Sequence, residues 1–189
     1  MSTGRNQECF WPWATITVLA ITAFATAAQF VEPALLPALE RTPEALQHNQ
    51  YWRLLTPLFV HSDGWSQIAF NFPAIALIGY FAERALGARL WLIVYFVSGF
   101  LAEIVAYAWQ PSGAGASIAG AGLLGALALL ILLRARAPQA KFGALLVLVG
   151  GLALTGMSNI HGPPILIGGC IILIATRRTA KKDKVPLEK

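Results

Sequence analysis

Six stretches of the chain are apolar over lengths that suit a membrane-crossing helix. They run approximately from Trp13 to Val31, Trp65 to Ala82, Leu90 to Trp109, Ser117 to Leu133, Phe142 to Met157 and Ile160 to Thr176. A span needs about 20 mostly apolar residues, because the hydrocarbon core is about 30 Å thick and a helix rises about 1.5 Å per residue. Several of the stretches are short, so their ends are expected to dip into interfacial or water-filled regions of the bundle. The runs lack the sustained alternation of a half-buried strand, and an open sheet edge has no hydrogen-bond partners in lipid. The pattern therefore predicts an all-α membrane protein, a six-transmembrane helix bundle forming a single domain, with no soluble domain left over.

Composition supports this reading. Residues of the apolar set make up 57% of the chain and charged residues 12%, about half the roughly 25% charge of a soluble domain. A chain this apolar cannot remain solvated as a disordered one. The net charge of +5 does not point to nucleic acid, since the basic residues gather between apolar runs and in the tail rather than interleaving with aromatics on one surface. They suit a lipid bilayer with an anionic leaflet: Arg177, Arg178, Lys181, Lys182 and Lys184 follow the last apolar run, each worth about 1 kcal/mol there. Cys9 and Cys170 form no disulfide framework and no metal-ligand spacing, so neither a metal nor a cofactor is expected. The first apolar stretch is too long, and lacks a clear small-residue cleavage site, to be a removable signal peptide.

Loop charge orients the bundle, because positive residues stay on the cytoplasmic side during insertion. With the N-terminus inside, twelve of the Lys and Arg residues fall in inner segments and only Arg41 and Arg53 in outer ones. Both termini are thus expected to be cytoplasmic, and the second, fourth and sixth spans enter from outside. The outer connection from about Glu32 to Gly64 is amphipathic and broken by Pro33, Pro37 and Pro43. Loops of that length are uncommon and usually functional. It is expected to lie partly in the outer leaflet, with Tyr51 and Trp52 at headgroup level.

Polar side chains at membrane depth are costly and tend to mark function or helix contacts. Asn71 lies below the outer end of the second span, with Gln67 one turn above it and His61 just before the span. The fourth span begins near Ser117 and the sixth near Asn159 and His161. Given the orientation, Ser117 and His161 sit near the outward ends of their helices at similar depth, so they can meet. Each also has a plainer role open to it: a serine that caps a helix, a wet interfacial histidine, an asparagine that binds a neighbouring helix. Together they compose a nucleophile with a general base, and Asn71, Gln67 and backbone amides could hold an oxyanion. Glu103, an acidic side chain within the third span, reads as a structural hydrogen bond or a protonated carboxyl before it reads as a group orienting His161.

Around the serine the chain reads Gly113, Ala114, Gly115, Ala116, Ser117, Ile118, Ala119, Gly120, Ala121, Gly122, Leu123, Leu124, Gly125. This resembles the rhomboid family of intramembrane serine proteases, whose active-site stretch has the form G-x-S-G followed by small residues and G-L-L-G. Trp52-Arg53, His61, Asn71, Gly79, Glu83, Gly87 and His161 fall in the family's order, and the resemblance runs from about Tyr51 to Cys170. It implies a rhomboid-like core at about 51–176 with a basic tail at 177–189. It also implies a Ser117–His161 dyad, an oxyanion site at Asn71 and Gln67, and a substrate that is a transmembrane segment of another protein. A compact six-span plan without a eukaryotic targeting segment favours a bacterial plasma membrane. No feature of the sequence specifies an oligomeric state.

Three positions depart from the family pattern. Ile118 stands where the motif has glycine, and a β-branched residue does not adopt positive φ comfortably. Gln67 replaces a histidine, and Pro164 replaces a glycine expected against the helix of the nucleophile. These departures motivate a rival reading, a catalytically inactive rhomboid-like protein that binds transmembrane helices. A transporter is a poorer third, because the spans hold few charged groups. Small residues at Ala121 and Gly125, facing Gly168 and Gly169, are expected to let the fourth and sixth spans approach closely.

Overall fold

The structure is a computed structural model describing residues 10–182, with side chains described as far as residue 178. Cys9, Arg5 and the tail beyond Lys182 lie outside the described residues, as do the side chains of Lys181 and Lys182. Six long helices form the body: α1 Trp13–Val31, α4 Gly64–Leu86, α5 Ala88–Trp109, α6 Ser117–Arg134, α7 Pro138–Gly156 and α8 Gly162–Lys182. Between α1 and α4 lie two short helices, α2 Leu35–Leu39 and α3 Pro43–Gln47, and two 3-10 turns at Tyr51–Leu54 and Thr56–Phe59. Among the described residues the β-type pairing is a single isolated bridge between Arg41 and Gly113.

Local chemistry sets these boundaries. Thr42 caps α3, its hydroxyl accepting from the Ala45 amide at 3.3 Å, and Pro43 takes the first helical position, where its missing N–H is not needed. Gly87, at φ 77°, supplies the left-handed turn that separates α4 from α5. Pro138 opens α7, four residues before the start predicted from hydropathy, and Pro163 and Pro164 occupy the first turn of α8.

The distribution of side chains is that of a protein surrounded by lipid. Large apolar residues face outward, among them Phe24, Trp65, Phe70 and Leu152, while Asn71, Glu83, Ser98 and Glu103 are buried. In water so much exposed apolar surface would drive association; in a bilayer it is the expected boundary, with polar groups turned inward. Among the described residues four helices, α1, α5, α6 and α7, are long and apolar enough to cross a membrane. α4 and α8 are as long but more polar, α4 carrying Gln67, Asn71 and Glu83 and α8 carrying Arg177 and Arg178 near its end. The chain is thus a multi-pass integral membrane protein in which hydropathy alone accounts for four of the six long helices.

α6 is central, packing on α4, α5, α7 and α8, and its largest interface is with α8. The two run side by side in the same direction. A Cβ at Gly125 would strike the backbone of Ile165, and one at Gly168 the carbonyl of Gly122. The close approach is therefore made by Gly122, Gly125 and Gly168. Ala121 instead turns toward a cavity beside α4, and Gly169 makes ordinary contacts, which corrects the expected pairing. At the opposite end from Ser117, Glu83 accepts from the Ala14 and Thr15 amides and the Thr15 hydroxyl, each at 2.8 Å. A buried carboxylate there satisfies the orphan donors at the start of α1 and ties α1 to α4. Trp91 stacks on Tyr95 at 5.0 Å and donates to the Gly79 carbonyl at 3.1 Å, joining α5 to the same corner.

Candidate active site

Ser117 is the first residue of α6, and His161 occupies the turn immediately before α8. The glycine crossing brings these starts together: His161 Nε2 and Ser117 Oγ are 3.1 Å apart, across 44 residues of sequence. Ser117 does not act as a helix cap; the cap position belongs to Ala116, without a side-chain bond. The first amides of α6 are those a helix leaves without intrahelical partners. Because α4, α6 and α8 all begin at this end, three positive helix termini converge on it.

Asn71 is 2% exposed, and its Nδ2 has no hydrogen-bond partner among the described residues. It lines two cavities, of about 210 and 330 Å³, that both reach Ser117 and His161. An unpaired buried amide is costly, and this one borders the space beside Ser117 and His161. Gln67 is differently engaged: Nε2 donates to the Ala114 carbonyl at 2.9 Å, and Oε1 accepts from the Asp63 amide at 3.2 Å. It supports the strand of chain leading to Ser117 and retains one further N–H.

That strand is held from several sides. The Ser62 hydroxyl and amide both donate to the Ala114 carbonyl, and the Gly115 amide donates to the Pro57 carbonyl at 2.9 Å. Arg41 holds its beginning, donating to the carbonyls of Gln110 and Pro111 and exchanging backbone bonds with Gly113. The Arg41 guanidinium also pairs with the Glu103 carboxylate. Glu103 therefore has a structural partner in Arg41 rather than in His161. Burial draws the Arg41 pKa down to about 10. Arg41 and Glu103 line a third cavity, of about 210 Å³, which reaches Ser117, Gln67 and His161 from the side away from Ala121.

The concern at Ile118 dissolves. Position 118 lies within α6 and is buried, and among the described residues the non-glycine positions with positive φ are Asn49 and Ser158. No left-handed conformation is required there. Pro164 is also accommodated, its carbonyl facing Gly122 while the closest approaches of the crossing are made by Gly125 on Ile165 and Gly168 on Gly122.

His161 lies outside α8, and burial lowers its pKa below the ordinary imidazole value of 6.5. Its Nδ1 is 3.2 Å from Asn159 Oδ1, which also accepts from the His161 amide at 3.0 Å. His61, on the loop before α4, is fully buried with Nδ1 3.0 Å from the Thr26 hydroxyl, and burial pulls its pKa down to about 4. Tyr51 and Trp52 are exposed, and Arg53 ties their turn back to the carbonyls of Pro37 and Glu40. Arg41 and the side-chain role of Asn159 escaped the sequence reading. The signals were present: Arg41 is one of two basic residues on the expected outer side, Glu103 is an acidic residue within the third span, and Asn159 stands two residues before the histidine. Among the described residues no group of three His, Cys, Asp or Glu gathers to hold a metal ion.

A family model for the rhomboid domain matches residues 48–174. The chain is 37% identical over 83 residues to the rhomboid protease GluP of Bacillus subtilis, covering 43% of this chain and 16% of that protein. It is 33% identical over 86 residues to the rhomboid-like protease 3 of Toxoplasma gondii, covering 44% of this chain and 32% of that protein. The chain spans less than half the length of the curated relatives it matches.

Proposed function

The chain belongs to the rhomboid family, and we propose on that ground that it is an intramembrane serine endopeptidase that hydrolyses peptide bonds in or near transmembrane segments of other membrane proteins. The observation that carries this reading is the 3.1 Å approach of Ser117 Oγ to His161 Nε2 in a cleft at the end where three long helices begin. In the proposed bundle all six long helices span the bilayer, with both termini cytoplasmic and the cleft opening on the outer side.

Ser117 Oγ attacks the substrate carbonyl carbon while His161 Nε2 takes its proton. The tetrahedral oxyanion is held by Asn71 Nδ2, the free N–H of Gln67 and the first amides of α6. The imidazolium returns the proton to the leaving amine, the C–N bond breaks, and an acyl-enzyme remains on Ser117. Water, deprotonated by the same imidazole, then releases the new carboxyl terminus.

A serine-reactive fluorophosphonate applied to detergent-solubilised protein should label the wild type but not Ser117→Ala, and Ser117→Ala should lose cleavage of a model transmembrane substrate by several orders of magnitude. An unlabelled wild type that still captures the substrate would instead identify a helix-binding protein without peptidase activity. The pH profile supplies a second expectation. The base acts in its neutral form, and burial favours that form by lowering the His161 pKa from 6.5. Activity should therefore rise with pH along a limb centred below 6.5 and be level through neutrality; a limb centred above 7 would contradict the neutral buried base.

A further inference from the structure

We infer that Asn159 is the positioning residue of His161, its side-chain carbonyl fixing the ring tautomer that can accept the Ser117 proton. The inference rests on the serine-peptidase reading and deepens it.

The bonding of one atom determines the rest. Asn159 Oδ1 and Nδ2 cannot be told apart by shape, but the atom facing the His161 backbone lies 3.0 Å from an N–H, which only donates. That atom is therefore the oxygen. The same oxygen lies 3.2 Å from His161 Nδ1, so a hydrogen bond forms there only if Nδ1 carries the proton. A neutral imidazole has one N–H, and Nε2 is then left with its lone pair toward Ser117 Oγ, 3.1 Å away. This is the tautomer a general base needs.

The backbone holds the asparagine to this task. Ser158 adopts φ 56°, a left-handed conformation that side-chain-bearing residues avoid and that tends to persist where function requires it. On either side the turn is stitched down: the Asn159 amide donates to the Leu154 carbonyl at 2.9 Å, and the Gly162 amide donates to the Asn159 carbonyl at 3.1 Å. Charged groups that border the same cavity do not compete for Nδ1. Glu103 from α5 is paired with Arg41 from the connection between α1 and α4, and Asp63, before α4, is exposed with its amide given to Gln67. The ring is thus oriented by a neutral amide, which supports the imidazolium less than a carboxylate would.

The test uses the full chain in detergent, with Asn159→Ala and the isosteric Asn159→Asp. Asn159→Ala should lower kcat on the order of ten- to a hundredfold, part of the roughly 10²–10⁴-fold that a positioned general base contributes, with KM and thermal midpoint little changed. Asn159→Asp should restore kcat at high pH and move the acid limb upward by about one unit, because a carboxylate stabilises the imidazolium. Nitrogen-15 spectra of the histidines, assigned with His161→Gln, should show His161 protonated at Nδ1 in the wild type. Wild-type kcat in Asn159→Ala, an unmoved limb in Asn159→Asp, or a proton on Nε2 would each overturn the inference. If Ser117 is unreactive to the fluorophosphonate in the wild type, the peptidase reading itself has failed; if it is reactive and depends on His161 but not on Asn159, only the positioning role has.

Discussion

Glu103→Ala should destabilise the fold by about 3–5 kcal/mol, the usual consequence of stranding one member of a buried ion pair. Arg41 is 1% exposed and Glu103 is fully buried. Removing the carboxylate leaves a guanidinium whose remaining partners among the described residues are the carbonyls of Gln110 and Pro111. An arginine does not shed its proton to escape such a site, even with a pKa drawn down to about 10, so the cost falls on the folded state. Arg41→Met combined with Glu103→Leu should recover most of the loss, since apolar replacement of a whole pair is often neutral or better. The double variant should nevertheless label more slowly at Ser117, because Gln110 and Pro111 lose the donor that anchors the strand leading to the serine. Unfolding in detergent followed by circular dichroism, alongside fluorophosphonate labelling of the folded protein, separates the two effects. Equal stability of Glu103→Ala and wild type would show that the pair is not buried as described.

The division between what the chain reveals in one dimension and what it hides follows from the physics of each contact. The long helices could be read because an apolar run is a local property: the first stretch, Trp13 to Val31, coincides with α1, and the others overlap α4 to α8 with ends that differ by up to six residues. Ser117 and His161 could be paired because they start helices expected to run in the same direction. The Arg41–Glu103 pair could not be found by that route, since hydropathy and loop-charge counting treat each residue alone, and Arg41 was read as an outer-loop charge. Glu83 stands out in the sequence as one of the residues in the family's order, whereas its carboxylate serves another helix, through amides 68 and 69 residues away. At Ile118 the family motif suggested a backbone demand that the helix does not make. At Asn159 the spacing was visible, but the bond to Nδ1 depends on the left-handed turn at Ser158, which no serine announces.

The second large effect concerns the crossing itself. Gly168→Val should both destabilise the bundle and silence Ser117. A Cβ at 168 would overlap the carbonyl oxygen and carbon of Gly122, and main-chain atoms inside a helix cannot rotate aside as a side-chain tip can. The helices must separate instead, at a cost of about 1–3 kcal/mol or more for overpacking. Separation also carries the start of α8 away from that of α6, stretching the 3.1 Å approach of His161 to Ser117. A displacement of about 1 Å is enough to cost on the order of a hundredfold in rate. A Cβ added on α7, where there is room for it, provides the control. Gly143 and Gly150 lie within that helix, and a Cβ at either meets nothing within 4 Å. Gly143→Ala and Gly150→Ala should therefore keep wild-type labelling, and each should gain about 0.5–1 kcal/mol from reduced backbone freedom. Labelling rates and thermal midpoints measured on the three variants decide the point. If Gly168→Val labels as fast as Gly143→Ala, the glycine contact between α6 and α8 does not set the distance between hydroxyl and imidazole.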